Sequence, residues 1–400
     1  MSSVGSGEIA SLLLHSMETA ARHADAVDLE ARFPSEAIAA LRDAGALGAL
    51  IPKELGGLGL TVSNVASHCQ QLAQKCASTA MIYAMHQIKV ACLVNHVLDQ
   101  TWHREFVKRI ARERLLLASI TSEVGTGGDQ RSSVCAVKVE DGLFTLTKQA
   151  TTVSYGAYAD VFLVTARSHA DAPPSDQVMV TCLRDDATLE MTGGWDALGM
   201  RGTCSCGYVF QGRGVADQIA PVPFADISAD TMVPVSHLLW SAVWTGIAAD
   251  ALTRARAFLR AQARRQPGGT TPGAARLVHA TGMLEMMQAR IRTMLTSFDA
   301  CNAMGSSRDV VSAEECGWPV GVVRATALNT LKFDVSTMCH EVVLEAMRIC
   351  GMAGYKNDTE FSVGRHLRDV LSAQLMISND RIASGAGALL LAQRNQLATL

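Results

Sequence analysis

An α+β chain of three successive stretches, helical, then β, then helical, is the fold class that this sequence predicts. Three observations carry the prediction. Apolar residues recur at helical spacing up to about residue 115, short apolar runs bounded by turn residues fill the middle, and Ala/Leu-rich helical periodicity returns from Ser236. The expected division is 1–115, 116–227 and 228–400, with no internal repeat.

Taken in order, Pro34 to Gly45 places apolar residues on one helical face and ends on a glycine suited to a left-handed cap. Pro52 to Leu60 breaks that pattern, because Gly56, Gly57 and Gly59 require a loop. Helical periodicity resumes from Val62 through Ile110. Val137 to Thr147 alternates around Asp141-Gly142, a hairpin signal. Val161 to Thr165 and Val178 to Cys182 read as strands of a compact β-domain. The later helices are interrupted at Pro267-Gly268-Gly269 and around Gly305 to Pro319.

Composition excludes several function classes. A net charge of −3 without a Lys/Arg block gives no nucleic-acid footprint. No uninterrupted apolar run approaches bilayer length, so no membrane partner is expected. The start, Met1 to Glu8, lacks a cationic segment followed by an apolar core, which predicts a cytoplasmic protein. Of the 11 cysteines only Cys204 and Cys206 lie close together, and no second Cys/His pair stands at metal-site spacing. Reduced, mostly buried thiols and no metal are the expectation.

Several local motifs then fall into a familiar order. Pro52 to Leu60 is similar to a Pro-x-Glu-x-Gly-Gly-x-Gly loop, and Thr121 to Asp129 to a Thr-Glu-Pro-Gly-x-Gly-Ser-Asp loop. Leu198 to Thr203 is similar to a Met-Gly-x-Arg-x-Ser turn; Lys332, the Gly351–Tyr355 turn and Arg368-Asp369 follow at near-matching spacing. Each match is weak by itself, but their ordered sum over nearly the whole chain resembles the acyl-CoA dehydrogenases. The resemblance implies an N-terminal helical domain, a β-barrel-like middle domain and a C-terminal four-helix bundle. It also implies FAD as cofactor, with FMN as the alternative, and a homo-oligomer, tetramer or dimer.

A flavin ring needs backbone donors at close range, which glycine-rich loops supply. The resemblance assigns Thr121, Ser122, Gly125, Gly127 and Thr152 to the flavin, with Ala150 where the family often stacks a tryptophan. For the dinucleotide half it points to Arg264, Arg348 and Gly351. Either arginine can bind phosphate, and either can be a solvated helix-face residue. Two departures weaken that half: Pro267 replaces a phenylalanine and Met352 replaces a glycine.

The sharpest departure is chemical. Family members remove an α-proton from an acyl thioester with a glutamate while a hydride leaves for the flavin. Ile377 occupies that glutamate's position, and Ser236 occupies the second position used by some relatives. Asp380, His86 and His237 are the candidate replacements, with Asp380 and His86 favoured equally. Asn379-Asp380 also reads as a helix N-cap, and a lone histidine on an apolar helix is commonly a satisfied core residue.

Three functions compete. The first and favoured one is α,β-dehydrogenation of an acyl-CoA or acyl-carrier-protein substrate, using a relocated base and an electron acceptor. The second is a monooxygenase on the same scaffold, fed by a flavin reductase, with Ser154, Tyr155, His86 and Asp380 as proton donors. The third is a non-catalytic flavoprotein subunit.

Overall fold

The computed structural model describes residues 6–265, 272–303 and 317–392, with side chains from Leu13 onward. The chain divides into two compact units, residues 1–236 and 237–400.

The first unit opens with five helices: α1 (Ser6–Leu29), α2 (Ser35–Asp43), α3 (Val62–Ala73), α4 (Ala77–His96) and α5 (Thr101–Glu113). The loop between α2 and α3 depends on its glycines, since a Cβ on Gly57 would stand 2.2 Å from the Ile51 carbonyl oxygen. A capping box starts α3: Thr61 Oγ1 accepts the Asn64 N–H at 3.3 Å, and Asn64 Oδ1 accepts the Thr61 N–H at 3.1 Å. Helix α4 is buried nearly all round, which turns its polar residues toward partners inside the protein. Gln87 Nε2 accordingly donates to the Ala46 carbonyl at 2.8 Å.

Seven strands follow: β1 (Leu117–Ile120), β2 (Lys138–Glu140), β3 (Leu143–Val153), β4 (Val161–Arg167), β5 (Gln177–Leu183), β6 (Ala187–Gly193) and β7 (Cys206–Val215). They form a three-stranded sheet in the order β1-β4-β5 and a four-stranded sheet in the order β2-β3-β7-β6. The hairpin read at Asp141-Gly142 is present. Both residues take positive φ (51° and 75°), as a two-residue hairpin turn requires, and Glu140 pairs with Leu143. Strand β1 runs parallel to β4, and the other pairs are antiparallel.

The second unit is helical. Helix α6 (Val233–Arg265) begins just before the boundary and is followed by α7 (Ala274–Ala303), α8 (Gly321–Cys350), α9 (Gly364–Leu375) and α10 (Asn379–Ala392). The break read at Pro267–Gly269, and residues 305–316 of the one read around Gly305 to Pro319, lie outside the described residues. The helical stretch Phe224–Arg265 is long and apolar enough to cross a membrane, yet 89% of its most apolar window is buried inside the protein. Arg290 ties α7 to α8 through Asp334 and through Thr330 Oγ1 at 2.7 Å.

Candidate active site

In the first unit the loop after β1 carries the residues assigned to the flavin. Thr121 is half-buried, and Ser122 Oγ donates to the Thr152 carbonyl at 2.8 Å while accepting the Thr152 N–H at 3.1 Å. Gly125, Gly127 and Gly128 are exposed at φ of 93°, 58° and 82°, the left-handed region that glycine enters without a Cβ clash. Ala150 is buried in β3, so no ring is offered at that position.

The loop is fixed from beneath by two residues that the sequence reading missed. The buried Glu123 carboxylate accepts the N–H groups of Val134 (3.0 Å) and Cys135 (2.6 Å) and lies 3.5 Å from Lys148 Nζ. Lys148, fully buried, donates to Thr165 O at 2.6 Å and Thr165 Oγ1 at 3.0 Å. Burial pushes the Lys148 pKa down and Glu123 opposes that shift. A buried pair of this kind is sustained only when its remaining donors and lone pairs are used, as they are here. The available signal was an ionisable residue at an inward position of an alternating strand. A glycine-rich edge carrying the Thr121, Ser122 and Thr152 hydroxyls fits a flat polar heterocycle such as a flavin ring.

Beside this loop, three hydroxyls form a chain with a defined direction. Thr203 Oγ1 gives its only proton to the Met200 carbonyl at 2.8 Å. Ser205 must therefore donate across the 2.9 Å contact to Thr203, and Ser154 across the 2.8 Å contact to Ser205. Half-buried Ser154 is left with lone pairs only. Tyr155 is committed within the fold. Its buried hydroxyl already donates to the Leu117 carbonyl at 2.9 Å, and burial pushes its pKa far up.

Both ring nitrogens of His86 are likewise engaged. Leu117 N–H donates to Nδ1 at 3.0 Å, which fixes Nδ1 as the acceptor, so Nε2 carries the proton and donates to Leu47 O at 2.7 Å. The ring is fully buried, and that burial lowers its pKa to about 4. No lone pair is left to take a proton. His86 joins α4 to the 46–48 turn and to β1.

In the second unit, Ile377 stands between α9 and α10 at φ 49°, a left-handed conformation that is a strong outlier for a β-branched residue. The turn is held by Lys332 on α8. Its fully buried ammonium donates to Ile377 O at 2.8 Å and to Asn379 Oδ1 at 2.6 Å, and lies 5.7 Å from the Trp244 ring centroid. Ser336 adds a 3.0 Å bond from Asn379 Nδ2. Burial pushes the Lys332 pKa down to about 8, while the two oxygens and the indole face favour the charged form. Asn379, read from sequence as part of a cap, instead anchors this clamp.

The remaining candidates each have their own setting. Asp380 is exposed in the first turn of α10, where a carboxylate complements the helix dipole. Ser236 is buried near the start of α6, and His237 stacks on Trp240 with ring centroids 6.4 Å apart. Arg264 is exposed in the last turn of α6. Arg348 is ion-paired with Glu345, which also receives Arg276 at 2.9 Å. Gly351 ends α8 at φ 55° and ψ −135°, a region only glycine enters readily. Behind that turn, Arg254 donates to the Ser362 carbonyl at 3.0 Å and His366 bonds Asp250 at 2.7 Å.

Helical flanks, a paired-sheet middle and a glycine-rich flavin-type loop define a class, and comparison with known proteins agrees. The models for the acyl-CoA dehydrogenase N-terminal and C-terminal domains match residues 16–114 and 236–379. The chain belongs to the acyl-CoA dehydrogenase family. It is similar to the amino sugar nitrososynthase DnmZ of Streptomyces peucetius, at 26% identity over 87% of this chain and 84% of the relative. It is also similar to the probable acyl-CoA dehydrogenase FadE25 of Mycobacterium tuberculosis, at 24% identity over 90% and 88% of the two chains. Among solved structures, KijD3 in complex with FMN and dTDP-3-amino-2,3,6-trideoxy-4-keto-3-methyl-D-glucose superposes with a TM-score of 0.77 and 25% identity. That match covers 98% of this chain and 94% of KijD3.

Two predictions follow from these contacts. Because folding lowers the His86 pKa to about 4, the unfolded chain binds the proton first as pH falls below the ordinary histidine value. Stability is therefore full above about pH 6.5 and falls by about 3 kcal/mol from this residue as pH approaches 4. Urea denaturation across that range, with a flatter profile in His86→Asn, checks it. Lys332→Met strips the Ile377 and Asn379 oxygens of their donor and should cost about 2–4 kcal/mol by denaturant titration. A loss below about 1 kcal/mol would show that the clamp carries little of the turn's stability.

Proposed function

We propose that this chain is a flavin-dependent monooxygenase that oxygenates a heteroatom of its substrate. The observation that carries the reading is the Ile377 turn, where a hydrocarbon stands in the catalytic-acid position and is pinned there by Lys332. Dehydrogenation, favoured from sequence, needs an acceptor for the α-proton, and losing such a base costs about 10²–10⁴-fold in rate. Ile377 and Ser236 cannot accept it, His86 has no free lone pair, and Asp380 is exposed at a helix start.

A bound flavin, once reduced, supplies the electrons that activate oxygen. Thr121, Ser122, Thr152 and the Gly125–Gly128 loop would hold its ring. Ser154 would accept from an N–H of flavin or substrate, since its own proton is committed to Ser205. One oxygen atom passes to the substrate, and the other leaves as water with two protons and two electrons. A separate flavin reductase is the partner that such chemistry needs, and the assembly is a homo-oligomer. FMN gains on FAD because Arg348 is engaged by Glu345 and Met352 replaces a glycine. The similarity to an amino sugar nitrososynthase supports oxygen chemistry and that to the FMN complex of KijD3 supports FMN, whereas the similarity to FadE25 supports the alternative.

The test is kinetic. In protein loaded with reduced FMN, oxygen uptake should outrun hydrogen peroxide release by about tenfold compared with free reduced FMN, a retention worth about 1.4 kcal/mol. Ser154→Ala should shorten that delay. Simultaneous uptake and release in the native protein would count against the reading.

A further inference from the structure

The segment Cys204-Ser205-Cys206 holds the chain's C-x-C pair, and neither thiol has a role in the site above. Cys204 sits at φ 44° and ψ 52°, the left-handed region, and the Cys206 N–H donates back to the Cys204 carbonyl at 3.0 Å. That bond closes the backbone over two residues, as in a γ-turn. In extended chain, residues two apart stand ~6.6–7.2 Å from each other. The closed turn draws these two inside the ~4.4–6.8 Å that a disulfide spans between Cα atoms.

Both thiols are free and half-buried, so a small reagent can reach them. Cys204 Sγ donates to the Ala31 carbonyl at 3.8 Å. Burial, and then the neighbouring Cys206, pushes the Cys204 thiol up to about 11, which keeps its proton in place at neutral pH. The Tyr208 phenol is hydrogen-bonded to Cys206 and pushed up to about 12, by burial above all, so it too keeps its proton. Exposed Tyr158, stacked on Phe33 with ring centroids 4.1 Å apart, lies near the same two thiols. Among the described residues no group of three metal-type ligands forms, so the pair is not part of a metal centre.

We propose that Cys204 and Cys206 form a dithiol site for hydroperoxides, which closes to a disulfide and re-sets the hydroxyl chain beside the flavin-type loop. The Cys206 sulfur attacks one peroxide oxygen. The O–O bond breaks, a Cys206 S–O bond forms, and the other oxygen leaves as water with the Cys206 proton. The Cys204 sulfur then attacks Cys206. An S–S bond forms, the S–O bond breaks, and the second oxygen leaves as water with the Cys204 proton. The peroxide takes up the two electrons that the thiols give up. A ring closed over one intervening residue is strained, which makes the bridge easy to reduce again.

The consequence for the site is local. Ser205, between the two sulfurs, is the middle member of the Ser154–Ser205–Thr203 chain, and the Thr203 carbonyl holds the Tyr155 N–H at 2.7 Å. Tightening the 204–206 turn displaces both contacts. Hydrogen peroxide is also what the proposed oxygenase releases when turnover fails. Only that link rests on the oxygenase reading, and the site itself stands without it.

In the experiment the full chain, loaded with FMN, is treated with hydrogen peroxide, blocked with iodoacetamide and digested with trypsin. Cleavage after Arg201 and Arg213 releases residues 202–213, whose cysteines are Cys204 and Cys206. That peptide should emerge unblocked and lighter by two hydrogens, and dithiothreitol should restore both blockable thiols. Cys206→Ser should abolish the loss of the two hydrogens. Cys204→Ser should stop at a sulfenic acid on Cys206, which dimedone captures. In the bridged native chain the Tyr155 amide should exchange its hydrogen about tenfold faster. Two thiols still blockable after peroxide, sulfinic acid without a bridge, or a bridge to another peptide would overturn the site. A bridge that leaves Tyr155 exchange unchanged would overturn its link to the hydroxyl chain. No readout needs turnover, so failure here is separable from failure of the oxygenase reading.

Discussion

The Lys332 ammonium is the contact on which the arrangement of the second unit's site depends. One buried cation draws a backbone carbonyl, an amide side chain and an indole face to itself, and thereby sets the turn between α9 and α10. Left to itself, a β-branched residue at φ 49° would relax toward a negative φ. The local strain persists because Lys332 and Asn379 over-determine the turn around it. Conformation and chemistry thus separate at one residue, since the backbone geometry is maintained although the side chain is inert toward protons.

Much of the architecture was legible because its signals are local. Asp141-Gly142 announces its own turn type, and Gly56, Gly57 and Gly59 announce a loop, without reference to distant residues. Strand β7 was not legible: Gly207, Gly212 and Gly214 argue against a strand, and its pairing with β3 and β6 supplies what propensity lacks. Strand β6 is largely exposed and shows little alternation to read.

The site was legible as a set of positions and much less so as chemistry. The partners that decide His86, the Leu47 carbonyl and the Leu117 N–H, lie 39 and 31 residues away. Asn379 meets Lys332 across 47 residues, so a capping role was the natural local reading. Glu123 and Lys148 show the same limit, because each alone is an unremarked charge and together they fix the flavin-type loop. Motif order carries the fold, whereas proton inventories require three dimensions.

The central claim is that this scaffold keeps the family's flavin-type loop and has given up the family's proton acceptor. It is tested most directly by anaerobic titration of the flavin-loaded protein with acyl-CoA thioesters of increasing chain length, following the oxidised flavin band near ~450 nm. The account predicts that the band persists with every thioester. Bleaching by any one of them would mean that an α-proton had found a base while a hydride reached the flavin, and would contradict it.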